Sequence, residues 1–137
     1  MQSYVLRITS NLLFVTFIYF IIKSNRNIHE LFIGSIVLLL FFCSHLFWRN
    51  PVRHSIAHKI DAIVAKTTII YSILYTTLVK NLNKFLFYSY LLIVFCIGLS
   101  FYMSNYYSKK EWCSPHHIYY HFILHICCFV GSLYAFF

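Results

Sequence analysis

Five apolar runs, parted by breaks of only a few polar residues, leave this chain few ways to fold. They cover residues 8–22, 31–48, 61–78, 85–107 and 117–137. About 20 apolar residues cross a bilayer as a helix, and inside lipid a spanning segment must satisfy its own backbone N–H and C=O groups. The expected fold is therefore all-α: a polytopic membrane protein, a bundle of about five transmembrane helices. Composition agrees, because 61% hydrophobic against 10% charged residues is far from the roughly half apolar, quarter charged balance of soluble domains. At 137 residues the chain reads as a single transmembrane domain, 1–137, so its function is expected to reside in helices and short loops.

The formal net charge of +8 fits lipid headgroups better than nucleic acid. The basic residues come in ones and twos at the ends of runs and form no stripe that would track phosphates. The run 85–107 contains no formal charge, whereas 61–78 contains Lys66, which must snorkel or pair. The run 8–22, with Arg7 at its edge, has the basic start and apolar middle of a signal peptide. No small-residue cleavage site follows it, only Lys23, Ser24, Asn25 and Arg26, so it reads as a retained anchor. Pro51 after Arg49 and Asn50 ends the second run.

Five spans put the two termini on opposite sides. Arg7, Arg49, Arg53, Lys59, Lys109 and Lys110 fall on the N-terminal side, against Lys23, Arg26, Lys80 and Lys84 on the other, so the positive-inside tendency favours a cytoplasmic N-terminus. Trp48 and Trp112 sit at boundaries on that N-terminal side, where amphipathic rings meet headgroups. The five cysteines, Cys43, Cys96, Cys113, Cys127 and Cys128, form neither a CxxC pair nor an even set. They read as small apolar residues, with Cys113 alone in a loop beside histidines.

Asp61 is read as the acid at the mouth of a span, the others falling in solvent-facing loops, and an intramembrane acid is by default a candidate functional site. The same topology gathers His45, Asp61, His117 and His121 at one membrane face, with His54 and His58 in the adjoining loop and His29 at the opposite face. His117, His121 and His125 recur every four residues and share one helix face. Neighbours in that series can chelate one zinc ion. The outer two are about 12 Å apart along the axis, too far to share it. His45 is the natural third ligand.

These residues resemble the seven-span membrane hydrolases that include the alkaline ceramidases and the progestin and adipoQ receptors. The matching stretches are FFCSHLFW (41–48), HKIDAIVAK (58–66) and SPHHIYYHFILHICCFVGSLYAFF (114–137). The family has a Ser and a His near the end of span two, an Asp opening span three, and a His-x-x-x-His pair opening the last span. Its Ser precedes the zinc His by four residues. If His45 is the ligand, the Ser position falls on Phe41; if Ser44 is the family serine, the His position falls on Trp48, and His58, one turn before Asp61, is the replacement ligand. Where the family has three spans between the Asp and His spans this chain has one, which preserves parity.

The resemblance implies a zinc-dependent hydrolase of a lipid amide or ester bond. His45, His117 and His121 would hold the metal, with His58 and His125 as alternates. Asp61 would act as base and Ser44 as a donor to the developing oxyanion, zinc supplying a water acidified toward neutrality. The implied partner is a membrane lipid. Two other readings use the same residues: a small non-enzymatic multi-pass protein with structural or no metal, and bis-histidine haem ligation by His45 and His121.

Overall fold

The computed structural model describes residues 3–137. It is all-helical: α1 Ser3–Thr9, α2 Asn11–Lys23, α3 Ile28–Arg49, α4 Ile56–Leu74 continued by one π-helical turn at Tyr75–Val79, α5 Lys84–Lys110 and α6 Pro115–Ala135. Five helical segments are long and apolar enough to cross a membrane. The first is α1 with α2 (Tyr4–Lys23) and the third is α4 with its π turn (Ile56–Val79). Large apolar side chains such as Ile22, Leu46, Ile56, Leu78 and Phe85 face outward. Water would not tolerate so much apolar surface, and lipid does.

Three helices begin with one local design. Asn27, Ser55 and Ser114 are side-chain N-caps that accept the backbone N–H of Glu30, His58 and His117 at 2.9, 3.1 and 3.3 Å. Each of those three residues returns a side-chain acceptor to the preceding loop. Glu30 Oε2 accepts from Asn25 N–H at 2.8 Å, His58 Nδ1 from His54 N–H at 3.0 Å, and His117 Nδ1 from Cys113 N–H at 3.1 Å. This is the reciprocal logic of a capping box, extended one or two residues upstream. The residue before each cap, Arg26, His54 or Cys113, takes a left-handed φ of 56, 62 or 58°, which turns the loop back over the helix end. Pro115 at the first position of α6 adds a preset φ.

The first span starts earlier than the apolar run suggests and breaks at Ser10. There Thr9 Oγ1 and Ser10 Oγ bond back to the carbonyls of Leu6 and Arg7, the kind of side-chain competition that bends helices. Close approaches fix two neighbouring pairs. A side chain at Gly34 would collide with the Phe20 ring, so α2 lies directly on α3, and Gly131 sits against Ile97 and Ile93 of α5. Helices α5 and α6 form the most extensive hairpin, α3 packs on α4 and α2, and α1 and α2 close onto α6. By contrast α4 and α5, although consecutive, barely touch. The bundle is thus a ring left open on one side.

The membrane end opposite Asp61 carries a polar cluster that the run boundaries hide. Glu30 is fully buried inside α3, not in a solvent-facing loop, so Asp61 is not the sole acid of that kind. Lys80 Nζ pairs with Glu30 Oε1 at 3.0 Å and also donates to the Ala135 carbonyl at 2.9 Å. Tyr75 Oη donates to Oε1 at 2.8 Å, and Ser24 Oγ donates to Oε2 at 2.7 Å. The π turn ends at Lys80, whose N–H bonds the Tyr75 carbonyl at 3.0 Å, and this brings Tyr75 and Lys80 to one carboxylate. Four segments are thereby tied together: the α2–α3 turn, α3, the end of the third span and the end of α6.

Candidate functional site

Between these ends lies a cavity of about 330 Å³, at the lower limit of the roughly 300–1,000 Å³ common for ligand pockets. Its lateral side is the gap between α4 and α5, whose Ile69, Ile73, Ile97 and Phe101 line it. One end is polar, with Ser44, Asp61, His58, His117, His121 and Trp48 in its wall. The rest is mainly apolar, with Leu12, Val37, Leu40 and Leu124, and includes Thr9, Thr68, Ser72, His125 and Ser132 as scattered polar groups.

Ser44 and Asp61 meet directly. Ser44 Oγ donates to Asp61 Oδ1 at 2.5 Å, and both residues are buried. Asp61 lies on the second turn of α4, because that helix starts at Ile56, so the acid is deeper than the mouth of the span. His117 and His121 face the same space with ring centroids 5.7 Å apart, and His125 lies 4.9 Å beyond His121. Each ring is held by a polar partner: His121 Nδ1 lies 2.9 Å from Ser104 Oγ, and His125 Nδ1 lies 2.8 Å from Thr9 Oγ1.

His45 is not brought to this group. It is one residue from Ser44, about 100° around a helix. Its Nε2 accepts from Arg7 Nε at 3.3 Å and its ring rests on Phe41, centroids 5.7 Å apart. The residue that shares the face of Ser44 is Trp48, one turn on, with its ring 5.0 Å from His121 and 6.4 Å from His117. His58, the alternate third ligand, does line the cavity, stacked on Phe47 at 5.0 Å and set against Trp112 at 5.0 Å. Lys66 is in the wall near the α4 edge, exposed, and has no carboxylate partner among the described residues.

Whether these groups fit a zinc ion is decided by where their hydrogens are. A neutral imidazole has one N–H and one lone pair, and an imidazolium has no lone pair. His58 and His117 accept backbone N–H bonds at Nδ1, so both are neutral with their hydrogen on Nε2. A nitrogen that carries hydrogen cannot ligate a metal. As held here, His117 and His58 offer an N–H and no lone pair at Nε2, and among the described residues no three His, Cys, Asp or Glu side chains converge on one point. The donor set does not fit zinc in this arrangement. Cys113 adds nothing to it, because burial pushes its thiol pKa up and away from thiolate.

Several participants were not legible beforehand: Ser104 behind His121, Thr9 behind His125 and the capping duty of two histidines. The last had a readable signal, since Ser55-x-x-His58 and Ser114-x-x-His117 follow the spacing of a capping box. Comparison of the chain with protein families, with curated proteins and with solved structures finds no match in any of the three.

Proposed function

We propose that this chain is a small multi-pass membrane protein that binds one lipid chain in the cavity between α4 and α5, with the lipid's polar head at the Asp61 end. The carrying observation is the cavity itself: mainly apolar along its length, with Asp61, His58, His117 and His121 gathered at one end, and walled on its lateral side by two helices that barely touch. Lipid tails would reach it sideways from the bilayer without crossing a polar barrier. On the Lys and Arg bias of the loops, the Asp61 end faces the cytoplasm.

The test is lipid extraction and mass spectrometry of detergent-purified protein. The wild type should carry about one equivalent of lipid, and Ala65→Trp, which fills the cavity from α4, should carry far less while remaining folded. Equal lipid in both proteins would contradict the reading.

Lipid hydrolysis of the ceramidase kind is the second reading, favoured by one observation: Ser44 is bonded to Asp61 in the wall that His121 shares. Zinc binding there requires the His117 ring to release the Cys113 N–H. Stoichiometric zinc in purified protein, lost in His121→Ala, would place this reading first; metal-free protein would sink it.

A further inference from the structure

We infer that the polar end of the cavity receives an acyl carbonyl oxygen, and that the Trp48 indole N–H, in the same wall as the imidazoles of His58 and His117, is what binds it. The inference rests on the lipid-binding reading above and names the head that reading leaves open. Trp48 is 2% exposed, lies in the cavity wall, and its Nε1–H has no hydrogen-bond partner among the described residues. A buried donor without an acceptor is costly; the Nε1 atom is closed off from the cavity as the side chains stand, so a ligand's acceptor that reaches it after a side-chain shift relieves that cost.

The neighbouring Trp112 makes the contrast, because it lies in the same wall and its Nε1–H is already given to the Pro51 carbonyl at 2.9 Å. His58 and His117 add donors at the same end, since each has spent its Nδ1 lone pair on a backbone N–H. The wall does not call for a cationic head. Asp61 is its one carboxylate, with Oδ1 already taken by Ser44. An ammonium head offers no acceptor to three N–H groups. A carbonyl oxygen does, and it reaches the cavity either as a free fatty acid or as an esterified or amidated acyl chain.

Two tryptophans make the test direct. In the full-length protein in detergent, quenching by dibromostearic acid, its methyl ester and dibromostearylamine reports binding through both tryptophans in wild type and through Trp112 in Trp48→Phe. The acid or the ester should bind Trp48→Phe about tenfold more weakly than wild type, the worth of one hydrogen bond. His117→Met, which removes the imidazole N–H and puts no donor in its place, should also weaken binding. It serves in place of Trp48→Phe if that variant does not fold. Acid favoured over ester assigns a free fatty acid; equal binding of the two assigns an acylated lipid. The amine binding as tightly as the acid, or unchanged affinity on loss of the indole or imidazole N–H, overturns the donor assignment alone. Quenching by none of the three overturns the lipid reading with it.

Discussion

The two ends of the bundle each bury one carboxylate, and they treat it in opposite ways. At the Glu30 end the acid meets Lys80, Tyr75, Ser24 and a backbone N–H, and it is fully buried. At the Asp61 end the acid has Ser44 and no cation within bonding distance, and it faces a cavity with an unpartnered indole nearby. A buried acid is therefore not by itself a sign of function. Glu30 is saturated and holds four segments together, while the end with open space and spare donors is the one equipped for a ligand.

The sharpest way to break this contrast is at Glu30. Glu30→Ala leaves the half-buried Lys80 with only the Ala135 carbonyl for a partner, a change that approaches the ~3–5 kcal/mol of a broken buried pair. The apparent melting temperature in detergent should fall steeply, and Glu30→Met with Lys80→Met should recover part of the loss. A small change in Glu30→Ala would mean that the two ends are alike.

The capping histidines come next. His58→Ala and His117→Ala should each cost about 1 kcal/mol, and Gln at either position should restore much of it by returning an acceptor to the loop N–H. Equal loss in the Ala and Gln variants would show that ring packing, not capping, is what these histidines supply.

Asp61→Asn should move stability by no more than about 1 kcal/mol, in either direction. The amide oxygen can still accept from Ser44, and removing an unpaired buried charge offsets any weakening of that bond. A loss as large as that of Glu30→Ala would reveal a cation partner for Asp61.

The smallest effect concerns Cys113 in the loop before α6. Its thiol pKa is raised by burial, so the neutral thiol is favoured in the folded state. That contribution is fully present below the ordinary thiol value of about 8.5 and is lost as pH rises through the raised folded value. Alkylation of Cys113 at pH 8 should accordingly run slower in folded than in denatured protein. Equal rates would show a more open loop than the structure has.

Much of this architecture is legible in the chain. Run length gives the five spans, and four-residue spacing puts His117, His121 and His125 on one face. Matching Ser44 to the family serine, the alternative to a ligand at His45, sets it near Asp61, where the structure has it. Helix phase is what a run of uniformly apolar residues conceals. Nothing in 41–48 says which side of α3 faces inward, so His45 and Trp48 are equal candidates until Asp61 fixes Ser44 against α4 and carries Trp48 in with it. Glu30 is hidden for a different reason. It lies just before the run 31–48, and its burial depends on the π turn that delivers Lys80 from 50 residues away.

The contrast between a saturated carboxylate at one end and a carboxylate facing a cavity at the other is tested most directly by the indole N–H resonances of ¹⁵N-labelled protein in micelles. With added acyl lipid, the Trp48 signal should move downfield and saturate near one equivalent, while that of Trp112, already bonded to Pro51, stays in place. Both signals moving together, or neither moving, would contradict the account.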